Sequence, residues 1–135
     1  MRFLIVLHKD KDSEFGVTVP DLPGCFSAGA TTDEALAMAK EAIEGHIEVL
    51  LEEGHALPET QDSDVHIQNP EYAGGIWYFV DTNPVALLGK TARYNLTLPE
   101  QLVNLVDQYL DTHPTAYRSR SDFFAHLAAD HLLQR

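Results

Sequence analysis

The chain opens on a short apolar run, Phe3-Leu4-Ile5-Val6-Leu7, closed by His8 and Lys9, and a second strand-length stretch follows the polar turn Lys9-Asp10-Lys11-Asp12-Ser13. This pattern predicts a β-hairpin over residues 2–8 and 14–19. Pro20-Asp21-Leu22-Pro23-Gly24 then interrupts it. Proline cannot donate to a strand ladder, so the chain breaks there and returns as a short third strand over residues 25–29. Thr31 and Glu34 stand at capping-box spacing. Beyond them Ala35/Leu36, Ala39, Ala42/Ile43, His46/Ile47 and Leu50/Leu51 recur at helical intervals, with Glu41, Glu44, Glu48, Glu52 and Glu53 largely on the other side and Gly54 as the stop. After a polar loop, Val65-His66-Ile67 and residues 76–80 read as further strands, the last ended by Asn83-Pro84. The order β-β-β-α-β predicts an α+β domain of antiparallel strands with one helix across a face, placed at residues 1–88.

Residues 89–135 follow a different logic. Along 91–98 the alternation is strict, with Tyr94, Leu96 and Leu98 on one face and Arg93, Asn95 and Thr97 on the other. Pro99 stands at a favoured first helical position, and Leu102, Leu105/Val106 and Tyr109/Leu110 make an apolar stripe that ends before Pro114. A second helix is predicted over residues 120–133, opened by another capping-box spacing, Ser119-Arg120-Ser121-Asp122, with Phe123/Phe124, Leu127/Ala128 and Leu132 inward. One strand and two helices cannot satisfy themselves, because a lone strand leaves both rows of backbone groups unpaired. The simplest partner is a second copy: two strands paired antiparallel place both sets of Tyr94, Leu96 and Leu98 over four helices in one shared core.

Charge separates the same two regions. Residues 1–90 carry five Lys and Arg against sixteen acids, a net of −11, while residues 91–135 carry four against five, a net of −1. The acidity of the first region suits a basic partner. In the second, the polar ribbon face suits the major groove, where a two-stranded ribbon fits. Arg93 can donate to guanine O6 and N7, Asn95 can pair with adenine N6 and N7, and Thr97 can meet a thymine methyl. The start of the second helix, with free N–H groups and the side chains of Arg118, Ser119, Arg120 and Ser121, suits phosphate. Alternation alone equally fits the solvent face of an exposed strand.

Arg93 to Pro99, RYNLTLP, followed by an amphipathic helix and RSRSDFFAHLA, resembles the ribbon-helix-helix repressors. Thr97 departs from the longer polar or basic side chain many of them carry there. Residues 20–54, PDLPGCFSAGATTDEALAMAKEAIEGHIEVLLEEG, resemble the N-terminal domain of HicB-type antitoxins. The resemblance implies a partial ribonuclease-H-like fold that neutralises a HicA-type toxin, an mRNA ribonuclease, and a DNA-binding module that represses the operon of the pair. It also points to Asp21, Leu22, Pro23, Gly24 and Phe26 as the toxin-facing loop, and to a homotetramer of two ribbon dimers.

Other chemistry is weaker. Asp10, Asp12 and Glu14, with a ribonuclease-H-like fold, invite a metal-dependent nuclease, but alternating acids in a hairpin turn are ordinarily solvated. A plain repressor with a ligand-sensing first domain is the other alternative. The seven histidines show no metal-ligand spacing, so neither metal nor cofactor is expected and no catalytic residue is assigned. Cys25 reads as a buried small side chain, and a lone cysteine fits a reducing cytoplasm. Trp77 reads as core or interface. No apolar stretch is long enough for a membrane helix, so no membrane partner is expected.

Overall fold

The computed structural model describes residues 1–9 and 11–133. Its elements are β1 (Arg2–Lys9), β2 (Phe15–Thr18), β3 (Phe26–Gly29), α1 (Thr32–Glu52), α2 (Ser63–Ile67), a 3-10 turn at Pro70–Tyr72, β4 (Ile76–Asp81), α3 (Pro84–Leu87), α4 (Glu100–Thr112) and α5 (Arg120–Leu133). They fall into two units, Met1–Asn83 and a second that begins at Pro84.

In the first unit the strands form one antiparallel sheet in the order β3-β2-β1-β4. The most apolar strand, β1, is central, and Phe3 to Leu7 are all buried. Cross-strand partners share a face, which sorts the side chains. Phe3, Ile5 and Leu7 lie with Val80, Tyr78, Ile76 and Val17 on one face. Leu4, Val6 and His8 lie with Phe79, Trp77, Thr18 and Phe26 on the other.

Helix α1 covers the first face with Ala35, Ala39, Ile43 and Ile47, all fully buried at four-residue spacing. Contact is close where the helix begins: a Cβ on Gly29 would stand 2.4 Å from the Ala35 nitrogen, so only glycine fits. The Thr31 hydroxyl accepts from the Glu34 N–H at 3.1 Å, while the Glu34 carboxylate reaches past Thr31 to the Ala30 N–H at 3.3 Å. At the far end Gly54 takes φ 78°, and the Gly54 and His55 N–H groups close on the Leu51 and Leu50 carbonyls.

Residues 55–75 cross part of the opposite face. Gly75 sits directly on it, since a Cβ there would stand 2.3 Å from Val6 Cγ2. Tyr72 meets Trp77 edge-on at 5.7 Å. The strand predicted at Val65-His66-Ile67 is instead helix α2. Val65 and Ile67 are exposed and His66 is buried, the reverse of apolar-in alternation. Three alternating residues span less than a helical turn and cannot separate the two periods. Asp12 has φ 68° in the turn after β1, and Asp10 lies outside the described residues.

In the second unit α3 packs on α5, burying Pro84 and Leu87. Arg120 Nε and Nη2 donate to the two carboxylate oxygens of Asp107 at 2.8 and 2.6 Å, bracing α5 to α4. Tyr109, Tyr117 and Phe123 pack together in the corner between them. Pro99 is the cap residue of α4 rather than its first helical residue, and its carbonyl accepts from Leu102 and Val103. The strand predicted over residues 91–98 is not formed within one chain. Those residues make no backbone hydrogen bond to any described residue, and a strand exists only with a ladder partner.

Candidate functional site

The ribbon segment is exposed at every position from 91 to 99. Tyr94 and Leu96 are 80% and 73% exposed, and Leu98 is also on the surface. The stripe continues along the helices: Leu102, Leu105 and Tyr109 of α4 and Leu127 and Leu132 of α5, expected inward, are exposed, and only Val106 and Ala129 of these two helices are buried. Arg93, Asn95 and Thr97 are exposed beside the apolar ribbon residues.

At the start of α5 the Ser119 hydroxyl accepts from the Asp122 N–H at 3.1 Å, and the Asp122 carboxylate accepts from the Arg118 N–H at 2.9 Å. That backbone hydrogen bond is the main reason the Asp122 carboxyl is held below its ordinary range, assisted by His126 and the Arg118 guanidinium. The Arg118 side chain is 90% exposed, and Ser121 is exposed. Arg120 is placed otherwise. Its planar fork is engaged by Asp107, which raises the guanidinium and lowers the Asp107 carboxyl, in each case first through the hydrogen bond.

In the first unit the loop between β2 and β3 is two consecutive turns, Leu22 N–H to the Val19 carbonyl and Cys25 N–H to the Leu22 carbonyl, both 3.0 Å. Gly24 takes φ 85°, as the third residue of a proline-led turn requires. The five loop residues divide. Leu22 is core at 1% exposure, and Asp21 is buried. Pro23, Gly24 and Phe26 face solvent, Phe26 at 67% exposure.

Asp21 Oδ1 lies 2.7 Å from His66 Nε2 and accepts from the Gln61 N–H at 3.1 Å. This buried pair ties the loop to α2, forty-five positions along the chain. Its sequence signal was absent, because nothing local marks two polar residues so far apart as partners. Beside the β2–β3 loop an open cleft of about 500 Å³ is lined by Thr18, Pro20, Pro23, Phe26, Glu71 and Tyr72, among others.

Cys25 is buried, and burial pushes its thiol up, away from the reactive thiolate. Among the described residues no group of three His, Cys, Asp or Glu side chains is placed to hold a metal ion. No helix of the described residues is long and apolar enough to cross a membrane.

Comparison with known proteins places this architecture. Residues 3–128 match the family model described as the HicB-like antitoxin of bacterial toxin-antitoxin systems. A 14.9 kDa uncharacterized protein from the rep-hol intergenic region of Haemophilus phage HP1 is 43% identical over 133 residues, with 98% of each chain covered. The crystal structure of the Burkholderia pseudomallei antitoxin HicB is similar with a TM-score of 0.76 at 38% identity over 98% of both chains. Antitoxin HicB3 is similar over 100% of both chains, with a TM-score of 0.66 at 33% identity. A chain of a HicA3 and HicB3 toxin-antitoxin complex matches 60% of this chain and 96% of its own length, with a TM-score of 0.52 at 37% identity. By the family match across nearly its whole length, the chain belongs to the HicB-like antitoxins of bacterial toxin-antitoxin systems.

Proposed function

We propose that this antitoxin works by binding alone. The Met1–Asn83 unit, a partial ribonuclease-H-like fold, neutralises a small HicA-type mRNA ribonuclease. Residues 89–135 form a ribbon-helix-helix dimer that represses the operon encoding the pair, and two such dimers assemble as a tetramer in the cytoplasm.

The observation that carries the reading is the exposed apolar ribbon. Tyr94, Leu96 and Leu98 stand in solvent on a segment without backbone partners among the described residues, continuous in sequence with the exposed apolar residues of α4. Such a stripe is not left open in a stable soluble assembly, and a second copy supplies both the missing ladder and the missing cover. The dimer turns Arg93, Asn95 and Thr97 of each copy outward as a readout ribbon. Arg118, Ser119, Ser121 and the α5 N-terminus then meet phosphate, with Arg120 holding α5 at its angle through Asp107. The complex of HicA3 with HicB3 supports a HicA-type partner, as does the net charge of −11 on residues 1–90.

The test is stoichiometric. The chain is titrated into an mRNA-cleavage reaction of the HicA-type protein encoded beside its gene. Cleavage falls to background at a fixed molar ratio if the chain is the inhibitor, and continues at every ratio if it is not.

A further inference from the structure

We infer that the cleft on the sheet face opposite α1, between the β2–β3 loop and the 3-10 turn, is where a cationic side chain of the toxin is seated, an arginine or lysine held between Phe26, Tyr72 and Glu71. This rests on the antitoxin reading and specifies its site.

Placement comes first. Thr18 pairs with Val6 and Phe26 with Thr18, so they lie on the face opposite α1. Pro20 and Pro23 form one wall and Glu71 and Tyr72 the other. The walls come from distant parts of the chain, and the buried Asp21–His66 contact at 2.7 Å, with the Gln61 N–H on the same oxygen, sets their spacing. Preorganisation of this kind lowers the cost of binding.

Chemistry selects the occupant. Between Lys11 and Lys90 the sequence contains a single cation, Lys40, and it lies on α1, across the sheet from the cleft. No lysine or arginine is among the residues that line the cleft, which include His8 as well as the exposed Glu71. The Phe26 ring is also unspent, whereas Tyr72 meets Trp77 edge-on. Arg2 sits over Phe79 at 5.4 Å and Lys9 over Phe15 at 4.8 Å, but Phe26 meets neither a cation nor another ring among the described residues. An exposed ring beside a carboxylate in a concavity accepts a guanidinium or ammonium through its face and its charge together. The glutamate stripe of α1 attracts the same partner at long range.

The test uses the full chain and the HicA-type protein encoded beside its gene, by biolayer interferometry across a salt series. Phe26→Ala weakens binding about tenfold or more, chiefly through faster dissociation. Glu71→Gln slows association and flattens its salt dependence, and Glu71→Lys does so further. Both side chains are exposed, so the variants keep the wild-type melting curve. Glu48→Lys on α1 serves as the comparison and leaves dissociation unchanged. If wild type does not bind the toxin, the antitoxin reading fails. If wild type binds, Phe26→Ala and Glu71→Lys bind as wild type does, and Glu48→Lys dissociates faster, the antitoxin reading stands and the cleft assignment is overturned.

Discussion

The two units use apolar residues in opposite ways. In Met1–Asn83 the apolar pattern closes on itself: β1 is buried from Phe3 to Leu7, and α1 hides Ala35, Ala39, Ile43 and Ile47 completely. In the second unit the larger apolar side chains of the ribbon and helices stand mostly in solvent, and the buried ones are few and mainly small. The first pattern specifies a fold; the second, in the proposed ribbon dimer, specifies a partner. Sequence periodicity alone does not distinguish them, because a stripe that faces a copy obeys the same 2.0 and 3.6 spacing as one that faces its own chain.

The two units differ most at the ribbon. In the proposed ribbon dimer Leu96→Asp places a charge in the shared core, and two-fold symmetry places another in the partner. A buried unpaired charge costs about 3–5 kcal/mol, so the variant should sediment as a smaller species than wild type at the same concentration, and should lose operator binding with it. Analytical ultracentrifugation reads the first and gel shift the second. The first unit should melt as before in that variant, which is what makes the two regions independent.

Ile43→Ala tests the other side. Ile43 is fully buried between α1 and the sheet, and removing its side chain should cost about 2–5 kcal/mol in urea unfolding of the first unit. That loss should not depend on protein concentration, whereas unfolding of residues 84–133 in wild type should shift upward as concentration rises. Thr31→Ala removes one arm of the α1 cap and should cost about 1 kcal/mol.

A smaller effect is expected from acid. Asp107 is held below its ordinary range by Arg120, and Asp122 by the Arg118 N–H. A carboxyl depressed on folding contributes stability that is fully present above its unfolded pKa and is lost as pH falls through its lower folded value. The second unit should therefore lose stability on acidification below about pH 4, and Asp107→Asn should flatten part of that slope in a thermal-melt series. A variant as acid-sensitive as wild type would mean that the Arg120 brace contributes nothing to the packing of α5.

Much of the first unit was legible because its signals are local. The first hairpin, the third strand, the capping box at Thr31 and Glu34 and the stop at Gly54 each lie within a few residues of one another, and each appears in the structure. The short apolar runs were harder. Val65-His66-Ile67 has the composition of a strand, but the decisive contact is His66 with Asp21, which no window of sequence contains. The loop residues divided for a related reason. Leu22 and Phe26 are equally apolar, yet one is core and the other solvent-facing, and only the double turn decides which. At Arg120 the spacing to Ser119 and Asp122 marked a helix start, while the Asp107 partner thirteen residues upstream was visible only once α4 and α5 were packed.

The most direct test of the ribbon dimer as an operator reader is fluorescence anisotropy with the duplex upstream of the gene, over a salt series, for wild type and the Arg93→Ala/Asn95→Ala double variant. Operator reading by the ribbon predicts tight wild-type binding with a steep salt slope and a loss of roughly 2–6 kcal/mol per copy in the variant, from two base contacts in each copy of about 1–3 kcal/mol each, while the variant keeps the wild-type oligomeric state. Equal and weak binding by both proteins would contradict it and leave residues 91–98 as a dimerisation strand without a readout face.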